Sequence, residues 1–386
     1  VGIVILKAIS QYGVGEVEAS TLEAYKDLPI AIVSFIIASF LPRIGYKKAM
    51  LGALALVSFA CLYMYYINSF FAAKFLFAVV GAAFALIKVS VYASIGLVTQ
   101  NEKEHSSLMS SIEGVFMFGI ALAYFLFPAF NTEGNPEAWL RVYWVLAGLS
   151  VFSFILLLKA PFEEGQEIPG ADLIDDFRQM FALIAKILVL VFVSAAFLFV
   201  MVEQGIMTWL PTFNKEVLAL SENVSIMMAS IFAISLGVGR LIAGYLSKQY
   251  SWFYIVGGCI LLAVVMVVFV LPKTVAIGVI SNGVNLLEEV PLLAYAFPLV
   301  GLFISPIYPL LNSAVLSALP KKLHSPMTGL IIVFSALGGT LGSRAMGHLF
   351  AGIGPAEGFY YTLIPIGMLF LALLLLRNLT QKENAI

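Results

Sequence analysis

Apolar residues in this chain come in long blocks rather than in alternation. Ile30–Leu41, Ala53–Tyr66, Ile187–Val202, Tyr254–Leu271 and Tyr361–Leu376 are almost unbroken. A bilayer-spanning helix needs roughly 20 mainly apolar residues at 1.5 Å rise each. The ten-residue alternation of a membrane barrel is absent. Twelve spans follow from the blocks: Val1–Gly13 (partial), Glu16–Leu41, Met50–Ile67, Phe71–Val98, Ser107–Phe130, Arg141–Leu158, Ala185–Leu210, Ser221–Leu246, Trp252–Leu271, Val290–Leu316, Ser325–Phe350 and Gly358–Arg377. The first is too short to cross about 30 Å of hydrocarbon as a helix. Residues missing around Val14–Gly15 would explain that shortness.

Between spans six and seven lies the longest polar stretch, carrying Glu163, Glu164, Glu167, Asp172, Asp175 and Asp176. Its Asp172–Ala185 part reads as an amphipathic helix on the membrane surface. The expected organisation is an all-α membrane protein with two six-helix halves around a central cavity. Residues 1–158 form the first half, 159–184 a cytoplasmic linker and 185–386 the second half. Such a layout is that of transporters made from two parallel repeats.

Composition agrees with lipid as the solvent. Hydrophobic residues make up 61% of the chain and charged residues 11%, against about half and a quarter in soluble domains. Mean hydropathy is +1.02. The net charge of −1 gives no pull towards nucleic acid. Cys61 and Cys259 sit in apolar runs, with no disulfide framework and no ligand spacing. Lys and Arg set the orientation. One set of loops holds Arg43, Lys47, Lys48, Lys103, Lys159, Arg178, Lys186, Lys248, Lys321, Lys322, Arg377 and Lys382. The opposite set holds Lys74, Arg141, Lys215 and Lys273. The first set is expected to be cytoplasmic, with both termini, in a bacterial inner membrane.

The loop after span two reads Ala38-Ser-Phe-Leu-Pro-Arg43-Ile-Gly45-Tyr-Lys47-Lys48. It resembles the G-x-x-x-D-R-x-G-R-R signature of the major facilitator superfamily, with Ala38 and Pro42 as departures. The matching loop after span eight, Gly239-Arg240-Leu-Ile-Ala-Gly244-Tyr-Leu-Ser-Lys248, carries a second degenerate copy. Within that superfamily the chain looks most like the fucose/galactose/glucose–proton symporter group. The residues are Glu203 to Pro211 in span seven, Gly239-Arg240 in span eight, Ser305 to Pro309 in span ten, and Gly338-Gly339 in span eleven. The resemblance implies solute transport by alternating access. Fucose permeases of that group place an acidic residue in span four where this sequence has Lys88.

An ionisable group at mid-membrane costs roughly 2.5–3.5 kcal/mol on insertion scales, so each is a candidate for function and needs a partner. Glu23, Lys26 and Asp27 lie in span two, Lys88 in span four, Glu113 in span five, Glu203 in span seven, Arg240 in span eight and Arg344 in span eleven. Lys7, in the partial first span, cannot be placed. Glu113 and Arg240 both sit about six residues inside a cytoplasmic helix end, on helices that face each other in this superfamily. They are the candidate cytoplasmic gate. Asp27 and Arg344 lie at comparable heights on spans two and eleven and are the second candidate pair. Local pairing within Glu23, Lys26 and Asp27 competes with it. Glu203, with no charge beside it in sequence, is the first candidate proton carrier, with Asp27 and Glu113 as others. Lys88 pairs either with an internal carboxylate or with an anionic substrate. Lys88, Tyr92, Gln204, Trp209, Tyr308 and Asn312 are candidate substrate-binding residues, because aromatic rings with a few amides and hydroxyls suit a sugar-like solute. Arg43, Gly45, Lys47 and Lys48 carry the loop motif.

The expected function is a secondary active transporter, a proton-coupled symporter of a sugar, sugar acid or other organic anion. A proton-antiport exporter of amphipathic compounds is the alternative. A receptor or scaffold on a transporter fold predicts a sizeable soluble domain, which no stretch of this sequence supplies. An enzyme is disfavoured, since His105, His324 and His348 lie apart and no nucleophile or metal constellation is visible. No cofactor or metal is expected, the coupling ion being H+ with Na+ as the other choice. The partners expected are the solute and the bilayer, with a monomeric chain.

Overall fold

The structure is a computed structural model and describes residues 1–98, 102–131, 134–161, 182, 184–246, 250–278, 286–318 and 324–383. Every regular element among them is helical. In hydrocarbon no water serves the backbone, so each segment must satisfy its own N–H and C=O groups, and the helix does this alone.

The helices of the first half are α1 (Gly2–Tyr12), α2 (Thr21–Ile44), α3 (Tyr46–Ile67), α4 (Phe70–Val98), α5 (Glu102–Ala129) and α6 (Val142–Lys159). In the second half α7 (Ile187–Glu216) and α8 (Glu222–Leu246) are continuous. Helix α9 runs from Trp252–Val265 through a π-helical turn, Met266–Val270, into Leu271–Gly278. Helix α10 is two pieces, Val300–Ile304 and Ile307–Ala318, and α11 (His324–Ile353) and α12 (Leu363–Glu383) complete the set. The break in α10 falls at Ser305–Pro306, where proline has no N–H to continue the helical ladder. Among the described residues nine helices are long and apolar enough to cross a bilayer, with shorter apolar segments at Gly2–Tyr12 and Gly119–Ala129.

Helix α1, 11 residues long, rises about 16 Å, half of the hydrocarbon. Gly13 ends α1 in the left-handed conformation, φ 65°, which glycine adopts at little cost. One helical turn, Glu16–Ala19, then leads into α2. The predicted linker helix at Asp172–Ala185 lies largely outside the described residues.

Within the first half α2 and α3 pack on α4, and α3 on α6. In the second half α7 packs on α11, α12 and α8, and α8 on α10. The halves meet where α2 lies on α11, α5 on α8 and α1 on α7. Leu149, Phe152 and Leu156 on α6 and Leu371 and Leu375 on α12 are exposed, which is what lipid-facing surfaces present.

Glycine sets the closest approaches. A Cβ at Gly342 would lie 2.3 Å from the Met201 carbonyl oxygen, and one at Gly338 would lie 2.3 Å from the Phe197 carbonyl oxygen. Both pairs are four residues apart, so α7 and α11 touch backbone to backbone over successive turns, the small-xxx-small geometry of membrane helices. Trp209 of α7 is fully buried and donates its Nε1–H to the Ser343 carbonyl of α11 at 2.9 Å.

Candidate functional site

Among the described residues, the α2–α11 seam holds a dense cluster of charge within the apolar spans. Glu23, Lys26 and Asp27 fall at i, i+3 and i+4 and so share one face of α2. Glu23 is fully buried and Asp27 is 5% exposed. The Lys26 ammonium pairs with Glu23 Oε1 and, at 3.2 Å, with Asp27 Oδ1. Thr208 on α7 donates its hydroxyl to Glu23 Oε2 at 3.1 Å, a hydrogen bond from one half to the other. Asp27 Oδ2 is buried with no hydrogen-bond partner. It rests against Gly339 of α11, where an added Cβ would come within 2.6 Å of it.

Neighbouring glycines allow the cluster to sit this deep. A Cβ at Gly81 of α4 would meet the Lys26 carbonyl at 2.2 Å, and one at Gly2 of α1 would meet the Thr208 carbonyl at 2.3 Å. The half-buried Gln204 places its Cγ 3.4 Å from the same Cβ position of Gly339, beside Asp27.

The expected Asp27–Arg344 pair is not formed. Arg344 is exposed and has no ion pair with Asp27. Arg344 is five residues beyond Gly339, about 140° round the helix at 3.6 residues per turn. The face of α11 that meets Asp27 therefore turns the arginine away, and Lys26 supplies the local charge instead.

Glu203 also differs from expectation. It is not an isolated carboxyl, because Arg240 Nη2 on α8 donates to its Oε1 at 3.2 Å. Sequence neighbours could not reveal a partner 37 positions away. Tyr308 completes this second cluster. Its hydroxyl lies 3.2 Å from Ser335 Oγ and its ring stacks on Phe199 at 5.4 Å. Glu203 and Arg240 are thus brought together within the second half, with Tyr308 close enough to feel both charges and Asn312 one helical turn beyond it. Lys88 is half-buried with its ammonium 5.4 Å from the Phe84 ring centroid. The side chains of Glu113, Tyr92 and Arg43 lie outside the described residues. Trp209, read as a cavity residue, instead fastens α7 to α11 through Ser343, because its indole fills the space beside Gly347.

The loop motif has a structural content. Gly45 takes φ 91° at the N-terminus of α3, a conformation rare for any residue with a Cβ. Lys47 donates to the Leu158 and Ala160 carbonyls at 3.1 and 2.9 Å. It thereby serves the open carbonyl end of α6, the negative end of its dipole. Lys48 is exposed.

One functional candidate had no usable signal in the sequence. At the Lys/Arg-poor end, the buried Lys7 of α1 pairs with Glu222 of α8 and donates to Asn131 Oδ1 at 2.9 Å. Asn131 in turn donates to Asn223, and Lys215 of α7 reaches Glu222 Oε2 at 3.2 Å. These contacts latch the halves together at that end. Glu222→Gln is expected to lower the closed-to-open ratio there about tenfold, or about 1.4 kcal/mol. Distances between spin labels on the two halves would measure it. An unchanged distribution would show that the latch carries no weight.

Among the described residues no group of three His, Cys, Asp or Glu side chains is arranged to hold a metal. A search of curated proteins by sequence returns no match. Solved structures do share the fold. A bacterial homologue of the human lysosomal transporter Spinster, inward-facing and unoccupied, aligns over 99% of this chain and 93% of its own, with TM-score 0.74 and 12% identity. A D-xylose–proton symporter aligns over 97% and 91%, with TM-score 0.68 and 14% identity. The E. coli fucose:proton symporter aligns over 97% and 93%, with TM-score 0.64 and 12% identity. The sequence profile of the Major Facilitator Superfamily matches residues 3–342, and the chain belongs to that superfamily of transporters.

Proposed function

We propose that this protein is a proton-coupled symporter that imports a small polar metabolite, a sugar or sugar acid, across a bacterial inner membrane by alternating access. The observation that carries the reading is the charged cluster at the α2–α11 seam, with Glu23 bonded across to Thr208. Carboxylates buried at the line where two halves meet are placed to link a cation's arrival to a change in how the halves pack. With the Lys/Arg-rich loops cytoplasmic, the Lys7–Glu222 latch closes the outer end, as an importer needs when it discharges inward. The polar set Gln204, Tyr308, Asn312 and Ser335 suits hydroxylated solutes. Two of the fold neighbours are described as sugar–proton symporters, so sugars are the first class to try.

The test is uptake into proteoliposomes with a panel of neutral sugars and sugar acids, with and without an inward pH gradient. At least one solute should accumulate about tenfold faster with the gradient, a change of about 1.4 kcal/mol in the rate-limiting barrier. A sodium gradient acting in its place would reassign the ion. Gradient-driven extrusion of amphipathic dyes with no sugar uptake would replace import with export.

A further inference from the structure

The polar atoms of the α2 cluster are served unequally, and the inequality has a chemical meaning. Both carboxylate oxygens of Glu23 have partners, Lys26 on one and Thr208 on the other. Asp27 has Lys26 on Oδ1 and nothing on Oδ2, although that atom is buried. With both acids ionised the trio carries one lysine against two carboxylates, a net charge of −1 in a closed seam. Groups on the packed elements do not cancel it. Helix α11 presents Gly339 there and turns Arg344 outward. Helix α7 presents Gln204 and Thr208, and Glu203 is already paired with Arg240. From α4 comes Gly81, with Lys88 seven residues further along on the Phe84 ring. Tyr124 of α5 completes the surroundings.

From this geometry we infer that Asp27 is the proton site of the transport cycle, and that closure of α11 over its Oδ2 holds the proton in place. The inference rests on the transporter reading above. A proton added to Oδ2 turns the carboxylate into a carboxylic acid and makes the Glu23–Lys26–Asp27 trio neutral, with no other bond made or broken. The neutral trio can be buried without an opposing cation. When α11 withdraws, Oδ2 meets water and its negative charge is solvated, so the proton leaves. Proton binding and seam closure therefore favour each other, and the linkage is reciprocal. The close approach of Gly339 leaves no room at Oδ2 for a metal ion with its shell of oxygen ligands, which selects the proton over sodium. Glu203, held by Arg240, is left to organise the second half.

The experiment reads the seam directly, without solute or gradient, so it can fail or succeed independently of the uptake assay. Spin labels at Phe71→Cys on α4 and Ile353→Cys on α11, both exposed, report the separation of the halves at the Lys/Arg-poor end. Cys61 and Cys259 are first replaced by serine and alanine. In nanodiscs, between about pH 5 and about pH 9, the short-distance population of the otherwise unaltered protein should grow as pH falls and shrink as it rises. Asp27→Asn, uncharged and of the same shape, should hold the short distance across the whole range. Asp27→Glu should restore a pH response, which also controls for a folding defect in the asparagine variant. Glu23→Gln, which leaves Lys26 balanced by an ionised Asp27, should hold the short distance to higher pH than the parent. Asp27→Asn with the original pH response, or closure driven by sodium at constant pH, would each overturn the assignment.

Discussion

Gly342→Ala is expected to destabilise the protein by about 3 kcal/mol, at the upper end of overpacking penalties, and Gly342→Val to prevent its recovery as a folded species. The added methyl would lie 2.3 Å from the Met201 carbonyl oxygen and 2.8 Å from the Met201 Cα. Both are backbone atoms, so no rotamer change relieves the overlap and α7 must move off α11. Gly338 makes the same contact one turn away, against Phe197, so displacement at one site strains the other. In an isolated helix the substitution would be favourable, since alanine exceeds glycine in helix propensity by about 1 kcal/mol. The sign of the measured effect therefore separates helix–helix packing from propensity. Gly148→Ala on α6, where an added Cβ meets nothing within 4 Å, should stay within about 0.5 kcal/mol. Thermal unfolding in detergent, with size-exclusion profiles before heating, measures both. Equal stability of the Gly342 and Gly148 variants would remove the packing argument.

Lys26→Met is expected to have the second large effect. It leaves Glu23 and Asp27 facing each other in a buried seam with no cation. Removing one partner of a buried ion pair costs about 3–5 kcal/mol, because the remaining charge keeps its desolvation penalty. The prediction is loss of stable protein at neutral pH, with the deficit narrowing as pH falls, since protonating the two acids removes their repulsion. Adding Glu23→Leu to Lys26→Met should recover most of the loss, as replacement of whole ion pairs by apolar groups does elsewhere. A Lys26→Met protein as stable as the parent at neutral pH would mean that water, not Lys26, compensates the carboxylates.

The helices were legible because hydropathy is a one-dimensional property that lipid reads directly. Span eight was placed at Ser221–Leu246 and is observed at Glu222–Leu246; span four was placed at Phe71–Val98 and is observed at Phe70–Val98. The acidic and basic residues of the seam were also legible, since charge in an apolar run is conspicuous. Their partners were less so. Sequence height put Arg344 level with Asp27, but height fixes position along a helix and says little of azimuth, and the azimuth points Arg344 outward. Glu203 looked solitary because Arg240 approaches from a separate helix. Thr208, which ties Glu23 to the second half, is an ordinary hydroxyl that nothing in the sequence distinguishes from its neighbours. Lys7 had no address until Gly13 turned the chain and set α1 against α7 and α8.

The contact between α7 and α11 also limits how the molecule can move. Helices that slide past one another do so on a layer of side chains whose ridges shift by small rotamer changes, the shear mode of domain motion. Gly338 and Gly342 leave no such layer, and the Trp209–Ser343 hydrogen bond pins the register. The two helices therefore travel as a single bar, and Gln204, Thr208 and Gly339 arrive at or leave the α2 face together. Opening has to come from rotation of that whole wall about a pivot elsewhere, which makes the seam an all-or-none contact rather than one that can be peeled apart a residue at a time.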